Sequence, residues 1–234
     1  MLSELSGREH REVECWTHYR VGIQIQKRSR VKIYFDGGSD MNGAELGTEW
    51  EDRTRLRFSK LVSDHFGTPE YNTSMGGGGN HRIVRQLLLN KHPISDFDAA
   101  IIQMTPRWRT EYHNGKKWER VMVPSKNCKP SSKYWLENTL ESQKVENEFW
   151  RNYFRIHSDE FFLSNERMYQ VTIQSHCKAY GVPLIMLGRN QSSDLEFDFC
   201  FDEPWISKAP DGHPNEEGHR AIADRLISML TKHK

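Results

Sequence analysis

Phe97-Asp98-Ala99-Ala100-Ile101-Ile102-Gln103-Met104 is the stretch that decides the fold. It is a near-continuous apolar run, broken only by Asp98 and Gln103. A strand written this way is covered on both faces, the condition of a strand inside a parallel sheet. Two further runs resemble it. Val31 to Phe35 is short and β-rich and stops at Asp36-Gly37-Gly38-Ser39, and Val182 to Leu187 follows the break at Gly181.

Between these runs the period changes to that of helices. Leu56, Phe58, Leu61 and Val62 predict one helix from Trp50 to Phe66, with Gly67 as C-cap and Pro69 beyond it. Glu70 to Thr73 predicts a short second strand, which ends at the run Gly76-Gly77-Gly78-Gly79. Ile83, Val84, Leu87 and Leu88 then lie on one helical face. Two more helices are predicted near 136–158, where Trp135, Phe149, Trp150 and Tyr153 read as core, and over 162–180. A last helix begins after Asn215, which can cap it, with Glu216 and Glu217 in its first turn and Ile222, Leu226, Ile227 and Leu230 on its apolar face. Strands alternating with helices in this order predict an α/β fold, a three-layer α/β/α sandwich with a mainly parallel central sheet. It occupies residues 31–234 as a single domain, and residues 1–30 form a charged extension. Such a sheet gathers its site at the carboxyl ends of its strands, which brings Ser39, the glycine run and Thr105 together.

Composition narrows the function classes. The 234 residues suit one domain with a sizeable core. Charged residues make up 28%, aromatic residues 11%, and the mean hydropathy is -0.80. That is a heavily solvated surface over an ordered interior. A formal charge of +1 argues against a nucleic-acid partner. Cys15, Cys128, Cys177 and Cys200 stand far apart, without the spacing of a disulfide framework or a zinc site. No apolar run approaches a membrane span and the first 30 residues lack the core of a signal peptide, so a soluble, cytoplasmic protein is expected.

The chemistry-bearing residues cluster at three places. Ser39 follows a strand in a glycine turn that leaves its hydroxyl exposed. Taken alone, it reads first as a serine that belongs to a tight turn. A serine becomes nucleophilic when an imidazole takes its proton and a carboxylate fixes the imidazole's tautomer. Asp211-Gly212-His213-Pro214-Asn215 supplies both types on a short loop held by the last helix. The four glycines before Asn80 read in three ways: backbone donors of an oxyanion hole, a phosphate cradle at a helix start, or a hinge. No Gly-Lys-Ser/Thr follows them, which disfavours a nucleotide. Counted from Gly38, the residues Asp40, Asn42, Gly43 and Glu49 imitate a calcium loop. Its first ligand position is a glycine, however, and a strand rather than a helix precedes it. His81, His113 and His219 have no matching partners in sequence, and His219 reads as a helix-face residue.

Together these motifs resemble the SGNH, or GDSL-like, hydrolases. Gly37-Gly38-Ser39 with Gly43-Ala44-Glu45-Leu46 matches the first motif, and Asn72 followed by Gly77 and Gly79-Asn80 matches the second. Asp211 to His219 matches the last, and the resemblance runs from about 31 to 232. It is nearest to the branch met in bacteriophage and bacterial genomes, with Thr105 to Arg109 as the wall after the glycine turn. The resemblance implies Ser39 as nucleophile, His213 as base and Asp211 as its orienting acid. The oxyanion would be held by Ser39, Gly77 and Asn80. Thr105, Arg107, Trp108 and Arg109 would line the substrate. Neither a metal nor an organic cofactor is implied, and the partner would be a small-molecule or glycan ester.

Three departures from the family pattern stand out. Gly38 replaces the motif's aspartate, Asp40 follows the nucleophile directly, and the third motif's asparagine is missing where the chain reads Gln103-Met104-Thr105-Pro106. A carboxylate beside the nucleophile opposes a developing oxyanion unless it points away. The expected function is therefore a serine esterase working through an acyl-enzyme. The alternative is a binding or structural protein, virus-associated, that keeps the fold with weak activity or none.

Overall fold

The computed structural model describes residues 31–47, 49–113, 115–116, 118–122, 152–153, 156–188 and 195–231. The sheet has the order β2-β1-β3-β6-β7, built from Ile33–Asp36 (β1), Tyr71–Asn72 (β2), Ala99–Gln103 (β3), Leu184–Gly188 (β6) and Phe199–Cys200 (β7). Every pairing in it is parallel. The remaining strands, Arg109–His113 (β4) and Trp118–Met122 (β5), form a separate antiparallel hairpin. Helices are Ser39–Asn42 (α1), Trp50–Leu56 (α2), Phe58–His65 (α3), Asn80–Leu89 (α4), Asp159–Ala179 (α5) and Glu216–Thr231 (α6).

The sheet divides the core in two, as expected when side chains alternate along buried strands. Ile33, Phe35, Ala99, Ile101, Ile185 and Leu187 face Phe58 and Val62 of α3 and Ile222 and Leu226 of α6. Tyr34, Ala100, Ile102 and Met186 face Ile83 and Leu87 of α4 and Ile173 and Cys177 of α5. This is the predicted three-layer sandwich. Burying each large apolar side chain contributes about 1.5–3 kcal/mol, which is why β3 is written almost wholly in apolar residues. The chain leaves β1 toward β2 and returns through β3 on the other side, so the two flanking connections diverge at the carboxyl ends of β1 and β3. A crevice opens at such a point.

Several elements differ from the sequence prediction. The single helix expected over Trp50 to Phe66 breaks at Arg57, whose backbone is extended (φ -68°, ψ 145°). Two interactions account for the break: the Arg57 guanidinium makes a two-bonded pair with Glu70, and the freed Phe58 amide finds an acceptor in His219. The β4–β5 hairpin was not expected from the sequence, because its residues alternate too weakly in hydrophobicity to announce strands. The edge strand β7 was not foreseen, because two residues are too few to show a period. The extension 1–30, residues 123–132, and the predicted helix 136–158 with Trp135, Phe149 and Trp150 lie outside the described residues, apart from 152–153 and 156–158. Among the described residues no helix is long and apolar enough to cross a membrane.

Candidate active site

The turn after β1 carries Ser39. Gly38 precedes α1, and Ser39 is that short helix's first residue, with its side chain largely buried. The turn is fixed from β3. Gln103 ends that strand, and its Oε1 accepts from the amides of Gly38 and Met41, both at 3.1 Å. Its Nε2 donates to Asp40 Oδ2 at 2.5 Å. Asp40 is 1% exposed. The acid next to the nucleophile is therefore turned toward Gln103, which answers the objection its position raised in the sequence. Gly38 also explains itself, because a Cβ there would stand 2.9 Å from Thr105 Cγ2 and 3.3 Å from Arg109 Nη1. The wall residues occupy the space that an aspartate would need.

Beneath the turn lies a buried ion pair. Asp36, the last residue of β1, accepts from Arg82 Nη1 at 2.8 Å and from the Gly37 amide at 2.7 Å, and Tyr34 donates to its other oxygen at 3.2 Å. Burial pushes the Asp36 carboxyl up, against the attraction of Arg82. Arg82 also donates to the carbonyl of Thr73, so the pair ties β1 to the start of the glycine segment.

His213 arrives from the loop before α6. Gly212 takes φ 86°, a left-handed turn that a side chain disfavours, and this lets Asp211 fold back on His213. Asp211 Oδ1 accepts the His213 amide at 3.0 Å, and Asp211 Oδ2 lies 2.5 Å from the ring Nδ1. The other ring nitrogen, Nε2, is 2.8 Å from Ser39 Oγ. Residues 174 positions apart thus meet in the order carboxylate, imidazole, hydroxyl. The slight burial of Asp211 pushes its carboxyl up. Hydrogen bonds from the His213 amide and ring, the charge of the ring and the Glu45 side chain outweigh that, and hold it below the ordinary aspartate range. The loop is braced by Ala209 donating to the His213 carbonyl at 2.8 Å. Asn215 caps α6, accepting the Gly218 amide at 2.9 Å, as its sequence position predicts.

The residues leading into the glycine run lie against the nucleophile turn: Met75 donates to the Gly37 carbonyl at 3.0 Å, and Asn42 Nδ2 to the Ser74 carbonyl at 3.1 Å. Gly77 is buried in this run. Asn72, read as part of the second motif, donates to Ser59 Oγ at 2.7 Å and to the Met41 carbonyl at 3.2 Å. Asn80 is engaged differently from its sequence-based role as an oxyanion donor. Its Nδ2 donates to the Thr105 carbonyl at 2.9 Å and its Oδ1 accepts the Thr105 amide at 2.7 Å. This pair of bonds clamps the wall to the start of α4.

The wall residues part ways. Thr105 is buried beside Gly38, and Arg109 reaches the same place with its guanidinium. Arg107 turns instead to Glu166 of α5, with 3.6 Å between Nε and Oε2, and Trp108 is half-buried. Behind the wall, Arg85 grips Glu111 with two bonds at 2.8 and 3.0 Å and lies over the Trp118 ring. His81, unpartnered in the sequence reading, stands with Nδ1 3.4 Å from Glu111.

His219 is no surface residue of its helix. It is 0% exposed, its Nδ1 accepts the Phe58 amide at 3.2 Å, and its ring stacks on Phe58. Burial pushes its pKa down to about 4, so it packs as a neutral ring. Sequence reasoning also passed over Gln103 and the Asp36–Arg82 pair. One signal was available for Gln103, a lone amide closing a strand otherwise written in apolar residues.

No protein-family model matches the chain, and no curated protein matches it in sequence. In fold it resembles a solved carbohydrate esterase, one whose active site displays divergent catalytic and non-catalytic binding functions. The TM-score is 0.50 at 14% identity, over 89% of this chain and 67% of that one. At that identity the likeness speaks for the fold alone.

Proposed function

We propose that this protein is a serine esterase of the SGNH type. The observation that carries the reading is the run Asp211 Oδ2, His213 Nδ1, His213 Nε2, Ser39 Oγ, with contacts of 2.5 and 2.8 Å at its two ends. Asp211 fixes the tautomer with the proton on Nδ1, which leaves Nε2 as the acceptor of the serine proton. Ser39 Oγ attacks the ester carbonyl carbon while its proton passes to His213 Nε2. The tetrahedral intermediate then breaks its bond to the alcohol oxygen, and His213 returns the proton to that oxygen. Water attacks the acyl-enzyme with His213 again as base, and the acid leaves as Ser39 regains its proton.

The oxyanion is assigned to the backbone amides of Ser39 and Gly77. Asn80 is assigned a positioning role through its clamp on Thr105. Arg109, Thr105 and Trp108 form the substrate wall, and Arg107 supports it from behind through Glu166. A small acyl group on a carbohydrate is the proposed substrate class, in keeping with the carbohydrate esterase that shares the fold. The same neighbour's non-catalytic binding functions favour a second reading, in which this site binds a glycan without turning it over.

Hydrolysis of a short-chain chromogenic ester by the wild type and by Ser39→Ala separates the two. The esterase reading expects turnover that the substitution abolishes. A well-folded wild type without turnover above buffer would support the binding reading instead.

A further inference from the structure

The asparagine of the third motif is missing from this chain, and Asn80 does not replace it, because its Nδ2 and Oδ1 are both engaged with Thr105. Arg109 lies where a further donor is needed. Its backbone is fixed at the end of the glycine run: the Arg109 amide donates to the Pro106 carbonyl at 3.0 Å, and a Cβ on Gly79 would stand 2.4 Å from the Arg109 oxygen. Its guanidinium is at the other turn, with Nη1 3.3 Å from the Cβ position of Gly38, the residue before the nucleophile. The side chain therefore crosses from the glycine run to the nucleophile turn. Those two turns carry the amides of Gly77 and Ser39, and the Ser39 amide, first in α1, has no partner within that helix.

The glycines at both ends make this path possible, since a Cβ on Gly79 would displace the Arg109 backbone and one on Gly38 would crowd its guanidinium. Arg109 is half-buried, so water only partly screens its charge. The acids of the nucleophile turn are engaged elsewhere: Asp36 pairs with Arg82, and Asp40 is held by Gln103.

The geometry points to Arg109 as a catalytic residue, the side-chain donor of the oxyanion hole, in a role that rests on the esterase reading. As Ser39 Oγ bonds the carbonyl carbon, the electron pair of the C=O bond moves onto the oxygen, and Arg109 donates an N–H to it beside the two backbone amides. The proton stays on the guanidinium, and the electron pair returns to the C=O bond when the alcohol leaves. A guanidinium has several N–H donors in a fork, so bonds to other groups leave this one possible. A charged donor also binds a negative oxygen more strongly than a neutral amide does.

The test measures kcat and KM for a neutral short-chain ester with the wild type, Arg109→Ala and Arg109→Met, and the thermal unfolding of each. A neutral ester offers the guanidinium no charge to bind in the ground state. The expected result is a kcat lower by about a hundredfold to a thousandfold in both variants, with KM changed by less than about threefold. Added guanidinium, well below the concentration that unfolds the protein, should restore part of the lost kcat to Arg109→Ala and none to Asp211→Asn. Arg109→Met keeps the apolar stem of the side chain, and carries the same comparison where Arg109→Ala unfolds. A KM that rises while kcat holds would overturn the proposal and leave Arg109 a residue of the substrate wall alone. A wild type without turnover removes the esterase reading and the proposal with it, whereas an active wild type matched in kcat by the variants overturns the proposal alone.

Discussion

The two halves of the site are held in different ways. The nucleophile turn is buried and tied from a distance: Gln103 bonds Gly38 and Met41 across 65 and 62 positions of sequence, and Arg82 reaches Asp36 across 46. The base loop is half-exposed and tied locally. Asp211 bonds the amide and ring of a residue two positions away, Ala209 brackets the same turn, and Asn215 caps the helix that follows. One half is a product of the core, the other of its own short sequence. Changes in the first half should therefore cost several kcal/mol of stability along with activity, and changes in the second should cost activity with about 1 kcal/mol of stability or less.

The largest expected effect is in the base loop. Asp211→Asn loses the tautomer control on His213, and ester hydrolysis should fall by about a hundredfold to ten-thousandfold. Thermal or denaturant unfolding should show its stability within about 1 kcal/mol of the wild type, because the lost pair is exposed. Gln103→Leu tests the opposite half. It removes the acceptor that Gln103 offers to two buried amides and the bond it gives the buried Asp40, so unfolding free energy should drop by about 3–5 kcal/mol along with activity. If Gln103→Leu were as stable as the wild type, the contrast between the halves would not stand.

A pH effect of similar size belongs to the core. His219 is pushed from its ordinary 6.5 to about 4 in the folded protein. Between those values the unfolded chain binds a proton that the folded chain refuses, so stability is full above about 6.5 and declines as the pH falls toward 4. The decline attributable to this group is roughly 3 kcal/mol. Urea unfolding at several pH values should show it, and the slope should flatten in His219→Leu. That variant should also be less stable near neutrality, having removed the acceptor of the Phe58 amide. The smallest effect is Asn215→Ala, which removes the cap of α6 and should cost about 1 kcal/mol.

The same contrast explains what could be read from the sequence. The parallel sheet was legible because β3 and β6 are continuous apolar runs and their burial is written into composition. Asp211, His213 and Asn215 were legible because their spacing is local. Gln103 was not, since a glutamine at a strand end acquires its meaning only when β1 is laid beside it. Asp40 looked like an obstacle for the same reason: the sequence shows its neighbour Ser39 but not the amide that turns it away. The break at Arg57 likewise depends on Glu70 and His219, which no helical period can reveal.

The most direct test of the central claim is the labelling of the intact protein with a serine-directed fluorophosphonate, followed by peptide mapping, in the wild type and His213→Ala. The account predicts one adduct, on Ser39, formed at least a hundredfold more slowly when the imidazole is gone. An adduct on another residue, or labelling of Ser39 at the same rate without His213, would contradict it.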